Sequence, residues 1–324
     1  MPGKHVLIVS PASERENNGN WQTARRWSLY LRERHRVATA PGWDAANPNP
    51  PDLMIALHAH RCAAPLISFA QTHPERPRVL VLTGTDLYRD IAVSSEAQSA
   101  LEQASALVIL QPAAMAMLPS HLHERTRVIY QSAPPLPARL DTRERQHFDI
   151  CMIGHLRLEK DPLTFMRASE LISSRRARLI HIGGALDPAL GYAAQDMAAR
   201  NPRYQYLGEL PHATARQRLK KSHVMVIASV MEGGANVIIE AVTSGVPVLA
   251  SDISGNRGML GEDYAGYFPV GDVKALARMI DRSIEDLEFH ARLRAQCAAR
   301  AGLFDPGAER AAVLDLVDNL LSGA

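Results

Sequence analysis

Residues 229–251 read SVMEGGANVIIEAVTSGVPVLAS. The chain just before this run, Val224–Ala228, is short, apolar and β-branched, the pattern of a buried strand. Asn236–Thr243 then has the length of a short helix, and Pro247–Ala250 is a second strand. Strand, glycine turn, helix and strand make a β-α-β unit, which implies a parallel sheet with helices on both faces. Gly233 and Gly234 fall between strand end and helix start. Bare amides there, continuing through Ala235 and Asn236, suit a sugar or a phosphate. Glu232 and Glu240 have seven residues between them. A carboxylate in the first helical turn, where Glu240 is expected, can accept two hydrogen bonds from a vicinal diol such as a ribose. A capped helix with surface glutamates is the structural alternative.

The same alternation extends outward. Strands are expected at Val6–Val9, Leu53–Leu57, Arg78–Leu82, Ala106–Leu110 and Arg127–Tyr130, and again at Asp149–Ile153, Arg178–Ile182 and Gln205–Leu207. The prolines of SAPPLPARL, residues 132–140, oppose both helix and strand and mark a linker. Asp161-Pro162 starts a helix with an N-cap and a first-turn proline. Lys274–Arg300 reads as one or more helices, and Ala308–Leu321 as an amphipathic one. The fold class expected is α/β, with two doubly wound, Rossmann-like halves. The first domain is expected over residues 1–135, a linker over 136–147, and the second domain over 148–300. Ligands of such sheets sit at strand C-terminal ends, so the cleft between the halves is the natural site.

Composition narrows the class. The 324 residues are 46% hydrophobic and 22% charged, ordinary for a globular protein. The 36 Lys+Arg against 34 Asp+Glu leave a net charge of +2, too small to argue for a nucleic-acid partner. Cys62, Cys151 and Cys297 lie far apart with no metal-ligand spacing, which suits buried thiols in a reducing compartment. No apolar stretch approaches the ~18 residues of a membrane span, and the cytoplasm is the expected location. Neither G-x-G-x-x-G nor a P-loop occurs, which disfavours an NAD enzyme.

Three further clusters stand at strand C-termini. Asn17-Asn18-Gly19-Asn20 precedes the first helix and its Arg25 and Arg26; Gly19 permits close backbone approach and Asn20 can cap the helix. Thr83-Gly84-Thr85-Asp86 gathers hydroxyls and a carboxylate after a strand, and His58 and His60, two residues apart, would share one face. Gly154-His155-Leu156-Arg157-Leu158-Glu159-Lys160 brings a guanidinium and an ammonium to a helix N-terminus, which suits a diphosphate.

The run at 229–251 resembles the donor-site signature of glycosyltransferase family 4, retaining enzymes of GT-B fold. The resemblance is strongest over residues 148–252. It implies that Glu232 contacts the transferred sugar, Glu240 the nucleotide ribose, and Gly154, His155 and Lys160 the diphosphate. His155 stands where the family has arginine, so Arg157 becomes a candidate for the missing charge. His60 matches the family's first-domain histidine near the reacting sugar, and Thr85-Asp86 falls where His-Asp is common. Backbone near Gly208–Pro211 is implied in uracil contact, and residues 301–324 in a helix returning to the first domain. NNGNWQTARRW, LTGTDLY and GHLRLEKDP together narrow the resemblance to selenosugar synthases of selenoneine biosynthesis. These join a sugar from a UDP-sugar to selenophosphate through a carbon–selenium bond. The implied assignment is catalytic Glu232, Lys160, Arg157 and His60. Gly19, His155, Gly208, Gly233, Gly234, Ala235, Asn236 and Glu240 serve the donor, and Asn18, Asn20, Arg25, Thr83, Thr85 and Asp86 the acceptor. The donor would be UDP-N-acetylglucosamine or UDP-glucose, a co-substrate; no metal or other cofactor is expected, since no Asp-x-Asp occurs. An ordinary family 4 enzyme with a hydroxyl acceptor, lipid or small sugar, is the alternative.

Overall fold

A computed structural model describes residues 3–13, 19–136 and 146–323. The chain divides into two units. The first comprises Met1–Ser132, Glu232–Gly234 and Asp305–Ala324; the second comprises Ala133–Met231 and Ala235–Phe304.

In the first unit the order is β1 His5–Val9, α1 Gly19–Leu31, β2 Arg36–Ala40, β3 Leu53–Leu57, α2 Ala63–Thr72, β4 Arg78–Leu82, α3 Ile91–Val93, α4 Ser95–Gln103, β5 Ala106–Ile109 and β6 Thr126–Val128. All strands pair in parallel in the order β2-β1-β3-β4-β5-β6. The chain runs outward from β1 to β2, then crosses back to β3, so the topological switch lies between the ends of β1 and β3. Alternate residues of each inner strand feed opposite faces. Val6, Ile8, Leu53 and Ile55 pack with Trp27 and Leu31 of α1 on one face. Leu7, Val9, Met54 and Ala56 pack with Leu66 and Phe69 of α2 on the other. Both faces are covered, so the inner strands are apolar throughout.

The last helix, Pro306–Ser322, completes the first of these cores with Val313, Leu314 and Val317. Its Glu309 is 3% exposed and fully partnered. The carboxylate accepts from Arg26 Nε at 2.7 Å and Nη2 at 3.1 Å, from Trp27 Nε1 at 2.8 Å, and from the Ser132 amide at 3.0 Å and hydroxyl. One carboxylate thus ties that helix to α1 and to the chain beyond β6. Arg26, which stands beside Arg25 in the sequence, is consumed in this pair.

The second unit runs β7 Phe148–Ile153, α5 Pro162–Leu171, β8 Ala177–Ile182, α6 Pro188–Arg200, β9 Tyr204–Tyr206, α7 His212–Lys221, β10 Val224–Ile227, α8 Asn236–Thr243, β11 Val248–Ser251, α9 Ser254–Leu260, β12 Tyr267–Phe268, α10 Val273–Glu285 and α11 Leu287–Arg300. The helix at 306–322 is therefore α12. Its parallel sheet has the order β12-β11-β10-β7-β8-β9, with the switch point between β7 and β10. This is the Rossmann order, and both sheets match the α/β, two-Rossmann class expected from sequence. Edge strands β2 and β12 were absent from the sequence reading. Arg36–Ala40 is half-exposed and lacks an apolar run, and Tyr267–Phe268 is two residues long.

All three cysteines are free and buried, and burial pushes the Cys62 and Cys151 thiols up to about 12. Among the described residues no group of His, Cys, Asp or Glu could hold a metal ion, and no helix is long and apolar enough to cross a membrane.

Candidate functional site

In the second unit, the loops after β7 and β10 flank the switch point. The Val230 amide donates to the Glu159 carbonyl at 2.9 Å, tying one loop to the other. Ser229 at the end of β10 is fixed from behind: Ser251 Oγ donates to its carbonyl at 2.6 Å, and Asn256 Nδ2 donates back to Ser251. The loop after β7 is shaped by close approach to Gly183, which follows β8. A Cβ on Gly183 would stand 1.9 Å from the Gly154 carbonyl oxygen and 2.9 Å from the His155 amide nitrogen. Only glycine fits there. The Gly183 amide in turn donates to the Gly208 carbonyl at 2.8 Å, and Gly208 has φ +67°, so this turn also favours glycine.

His155 has a defined tautomer. The Gly184 amide donates to its Nδ1 at 3.1 Å, so that nitrogen carries a lone pair and Nε2 carries the proton. His155 offers a neutral hydrogen-bond donor in place of the family's charged arginine. Positive charge on this loop rests with Arg157 and Lys160. Arg157 has no ion-pair partner among the described residues, and the stem of Lys160 lies along Gly154, its methylenes 3.7–3.9 Å from where a Cβ would stand.

The N-terminus of α5 differs from expectation. Asp161 is its N-cap, as the sequence indicates, in a left-handed conformation with φ 43°. Its carboxylate accepts from the Thr164 amide at 3.3 Å and the Thr164 hydroxyl at 2.6 Å. A negative charge already occupies that helix end, so its dipole offers a diphosphate little. Helix α8 is the open one: Ala235 at its cap has no side-chain capping bond. Its first amides can face an anion.

Glu240 is the fifth residue of α8, so it opens the second turn rather than lying in the first. Its side chain is 12% exposed, and Oε1 lies 2.6 Å from His212 Nε2 at the start of α7. One carboxylate oxygen is thereby oriented and the other remains for a diol. His212 was missed by the sequence reading because it belongs to a different helix and carries no motif.

Below this loop, His181 of β8 is wholly buried, with Nδ1 2.7 Å from the Tyr204 hydroxyl. Burial lowers its pKa to about 4. The unfolded chain, with an ordinary histidine near 6.5, binds the proton first as pH falls, so stability drops below pH 6.5. We expect a loss of about 2–3 kcal/mol by pH 4.5 in urea titrations, and a flatter slope in His181→Gln.

In the first unit, the loop after β3 lies at the other switch point. His58 and His60 do not share a face: β3 ends at Leu57, and His58 turns the chain with φ 90°. His58 is buried; the Arg61 amide donates to its Nδ1 at 3.3 Å, and its Nε2 lies 3.0 Å from Thr85 Oγ1. Burial lowers its pKa, so the ring is held neutral. His60 is exposed. Asp86, read as an acceptor ligand, is instead fully buried and accepts from the amides of Ala59 at 2.9 Å, Thr83 at 3.0 Å and Gly84 at 2.7 Å. Its carboxylate builds the turn that carries Thr83 and Thr85, and no face of it is open.

Glu232, Gly233 and Gly234 group with this unit. A Cβ on Gly233 would meet the Thr83 carbonyl oxygen at 2.5 Å, and one on Gly234 would meet Leu110 Cβ at 2.6 Å. Helix α1 begins at Gly19, so Asn20 is inside it rather than its cap, and Arg25 is exposed on its surface. Asn18 lies outside the described residues.

Residues 147–286 match the sequence profile of glycosyl transferases group 1. The chain is 28% identical over 152 residues to the Escherichia coli UDP-Gal:alpha-D-GlcNAc-diphosphoundecaprenol alpha-1,3-galactosyltransferase, covering 44% of this chain and 38% of that protein. It is 30% identical over 122 residues to glycosyltransferase 1 domain-containing protein 1 of Xenopus tropicalis, covering 37% and 35%. The chain thus spans under two fifths of the length of these curated relatives. Its fold is that of HepE from Anabaena, solved with UDP and glucose, with TM-score 0.75 at 17% identity over 99% of this chain and 100% of that one. It is also that of sucrose-phosphate synthase from Thermosynechococcus elongatus, with TM-score 0.77 at 18% identity over 99% and 100%. The two parallel six-stranded sheets are those of the GT-B fold.

Proposed function

We propose that the protein is a UDP-sugar-dependent glycosyltransferase that moves a hexose or N-acetylhexosamine to selenophosphate in the cytoplasm. Selenium attacks C1, the C1–O bond to UDP breaks, and UDP departs with the electron pair. The observation that carries the donor half is the set of groups at the β7/β10 switch point: the His155 donor, the Arg157 and Lys160 charges, and the uncapped α8 above Glu240. These can hold a diphosphate and a ribose diol without a metal. Glu232 would contact the transferred sugar, and Gly208 would lie near the base.

The selenophosphate acceptor is supported by the resemblance of NNGNWQTARRW, LTGTDLY and GHLRLEKDP to selenosugar synthases. A compact, nucleophilic polyanion needs cations and amide donors more than a base. Arg25 is the exposed cation of α1, since Arg26 is bound to Glu309. A hydroxyl acceptor is the second reading, favoured by the exposed imidazole of His60, which could serve as base.

The test is anaerobic incubation with UDP-N-acetylglucosamine or UDP-glucose, each with and without selenophosphate, followed by mass spectrometry. A selenium-bearing sugar formed only with selenophosphate is expected. UDP release without selenium incorporation removes the acceptor assignment and leaves the donor half.

Two substitutions test the donor half. Lys160→Ala is expected to lower turnover at least ~100-fold by removing charge from the leaving diphosphate; near-normal turnover would give that role to Arg157. Glu240→Ala is expected to weaken UDP binding in calorimetry by about 10- to 100-fold, the loss of one or two charge-assisted hydrogen bonds. His212→Ala, which frees the oriented oxygen, should cost only about threefold. Unchanged affinity in Glu240→Ala would remove its ribose role.

A further inference from the structure

The turn after β3 holds His60 from both sides: Asp86 accepts from the Ala59 amide, and His58 accepts from the Arg61 amide. The imidazole of His60 reaches Ser94, with Nδ1 3.0 Å from Oγ. Ser94 precedes α4 and caps it, accepting from the Ala97 amide at 3.1 Å. Its Oγ also lies 3.0 Å from Glu96 Oε2.

The protons of this chain can be counted. A serine hydroxyl has one proton and two lone pairs. The Glu96 carboxylate cannot donate, so the Ser94 proton goes to Glu96. One Ser94 lone pair takes the Ala97 N–H, and the other is left for His60. His60 Nδ1 must therefore be the donor, and in the neutral ring Nε2 must be the lone pair. The reverse arrangement would set two lone pairs against each other at Ser94 or at Glu96. Glu96 is held ionised: its own backbone amide and the hydroxyls of Ser94 and Ser95 keep its carboxyl below the usual range.

We infer that Ser94 and Glu96 are positioning residues that lock His60 in the Nδ1–H tautomer, so that Nε2 presents a lone pair able to accept a hydroxyl proton from the bound sugar substrate. This rests on the glycosyl-transfer reading for its purpose, but not for the tautomer itself. The opposite tautomer would present an N–H and repel the same hydroxyl proton.

The tautomer is read directly by long-range 1H–15N correlation on 15N-histidine-labelled full-length protein at pH 8. His60 is assigned by loss of its signals in His60→Gln. Wild type is expected to show protonated Nδ1 and bare Nε2. Ser94→Ala should convert His60 to a mixed or Nε2–H form, and Ser94→Thr, which keeps hydroxyl and cap, should restore the wild-type pattern. Turnover of UDP-sugar in Ser94→Ala should fall at least tenfold with UDP affinity within twofold, and Ser94→Thr should recover most of it. Nε2–H in the wild type overturns the inference, as does unchanged turnover in Ser94→Ala. Absence of UDP binding in wild type would instead overturn the glycosyl-transfer reading, while the NMR result stands by itself.

Discussion

Gly183→Ala is expected to abolish measurable UDP binding. The added methyl would have to occupy a point 1.9 Å from the Gly154 oxygen and 2.4 Å from its carbonyl carbon. Neither atom belongs to a side chain that can rotate away, so the loop after β7 must move as a whole. That loop carries His155, Arg157 and Lys160, and it is pinned elsewhere by the Leu156 amide donating to Gly184 at 2.8 Å and by the Val230–Glu159 bond. Displacement therefore breaks several contacts together, and a misplacement of about 1 Å is enough to cost ~100-fold in positioning. Overpacking alone accounts for roughly 1–3 kcal/mol of stability, so circular dichroism should still report a folded chain. Gly184→Ala is the informative neighbour. Its Cβ would meet side-chain atoms of Glu209 and His155 at 3.2 Å, which can yield. Its expected loss is tenfold or less. If Gly183→Ala binds UDP normally, the loop does not hold the diphosphate.

Glu309→Ala is expected to be the most damaging substitution for stability. It leaves the Arg26 guanidinium, 17% exposed, without its carboxylate, and strands the Trp27 indole N–H and the Ser132 amide. Removing one partner of a buried ion pair costs about 3–5 kcal/mol, a large share of a domain's stability. Glu309→Gln, which keeps one acceptor and the shape, should cost less. A urea midpoint within experimental error of wild type in Glu309→Ala would show that water replaces the carboxylate. UDP affinity, which the proposed function places in the second unit, is expected to change little in folded protein.

The inner strands were legible because burial on both faces leaves them uniformly apolar. Leu53–Leu57 and Arg78–Leu82 were read to the residue, as was α8. The edge strands β2 and β12 were not, since one is half-exposed with no apolar run and the other is two residues long, whereas the edge strands β6 and β9 were placed to within two residues. Asp161 was legible as a cap because the Asp-Pro pair is a local signal. Asp86 was misleading for the same local reason: Thr-Gly-Thr-Asp after a strand can either bind a ligand or satisfy its own amides, and the fold chose the amides. Glu309 was illegible, because its partners lie 177–283 residues away. At the candidate site the residue types could be read but not the proton positions. Those of His155 and His60 depend on Gly184 and Ser94, 29 and 34 residues onward.

The assignment of α12 to the first unit has a consequence for biosynthesis. Ser132 leaves the ribosome long before Glu309, and at ~5–20 residues per second the interval is roughly 10–35 s. Throughout that time the nascent first unit has its six strands but not the helix that covers Val6, Ile8 and Trp27. Arg26 and Trp27 wait without their acceptor. The first unit is thus begun before the second and finished after it, and an apolar face left exposed over that interval is open to chaperone binding. Synthesis stalled or truncated before Asp305 would yield a chain with its second unit complete and its first unit open, a form that quality-control proteases can distinguish from the finished protein.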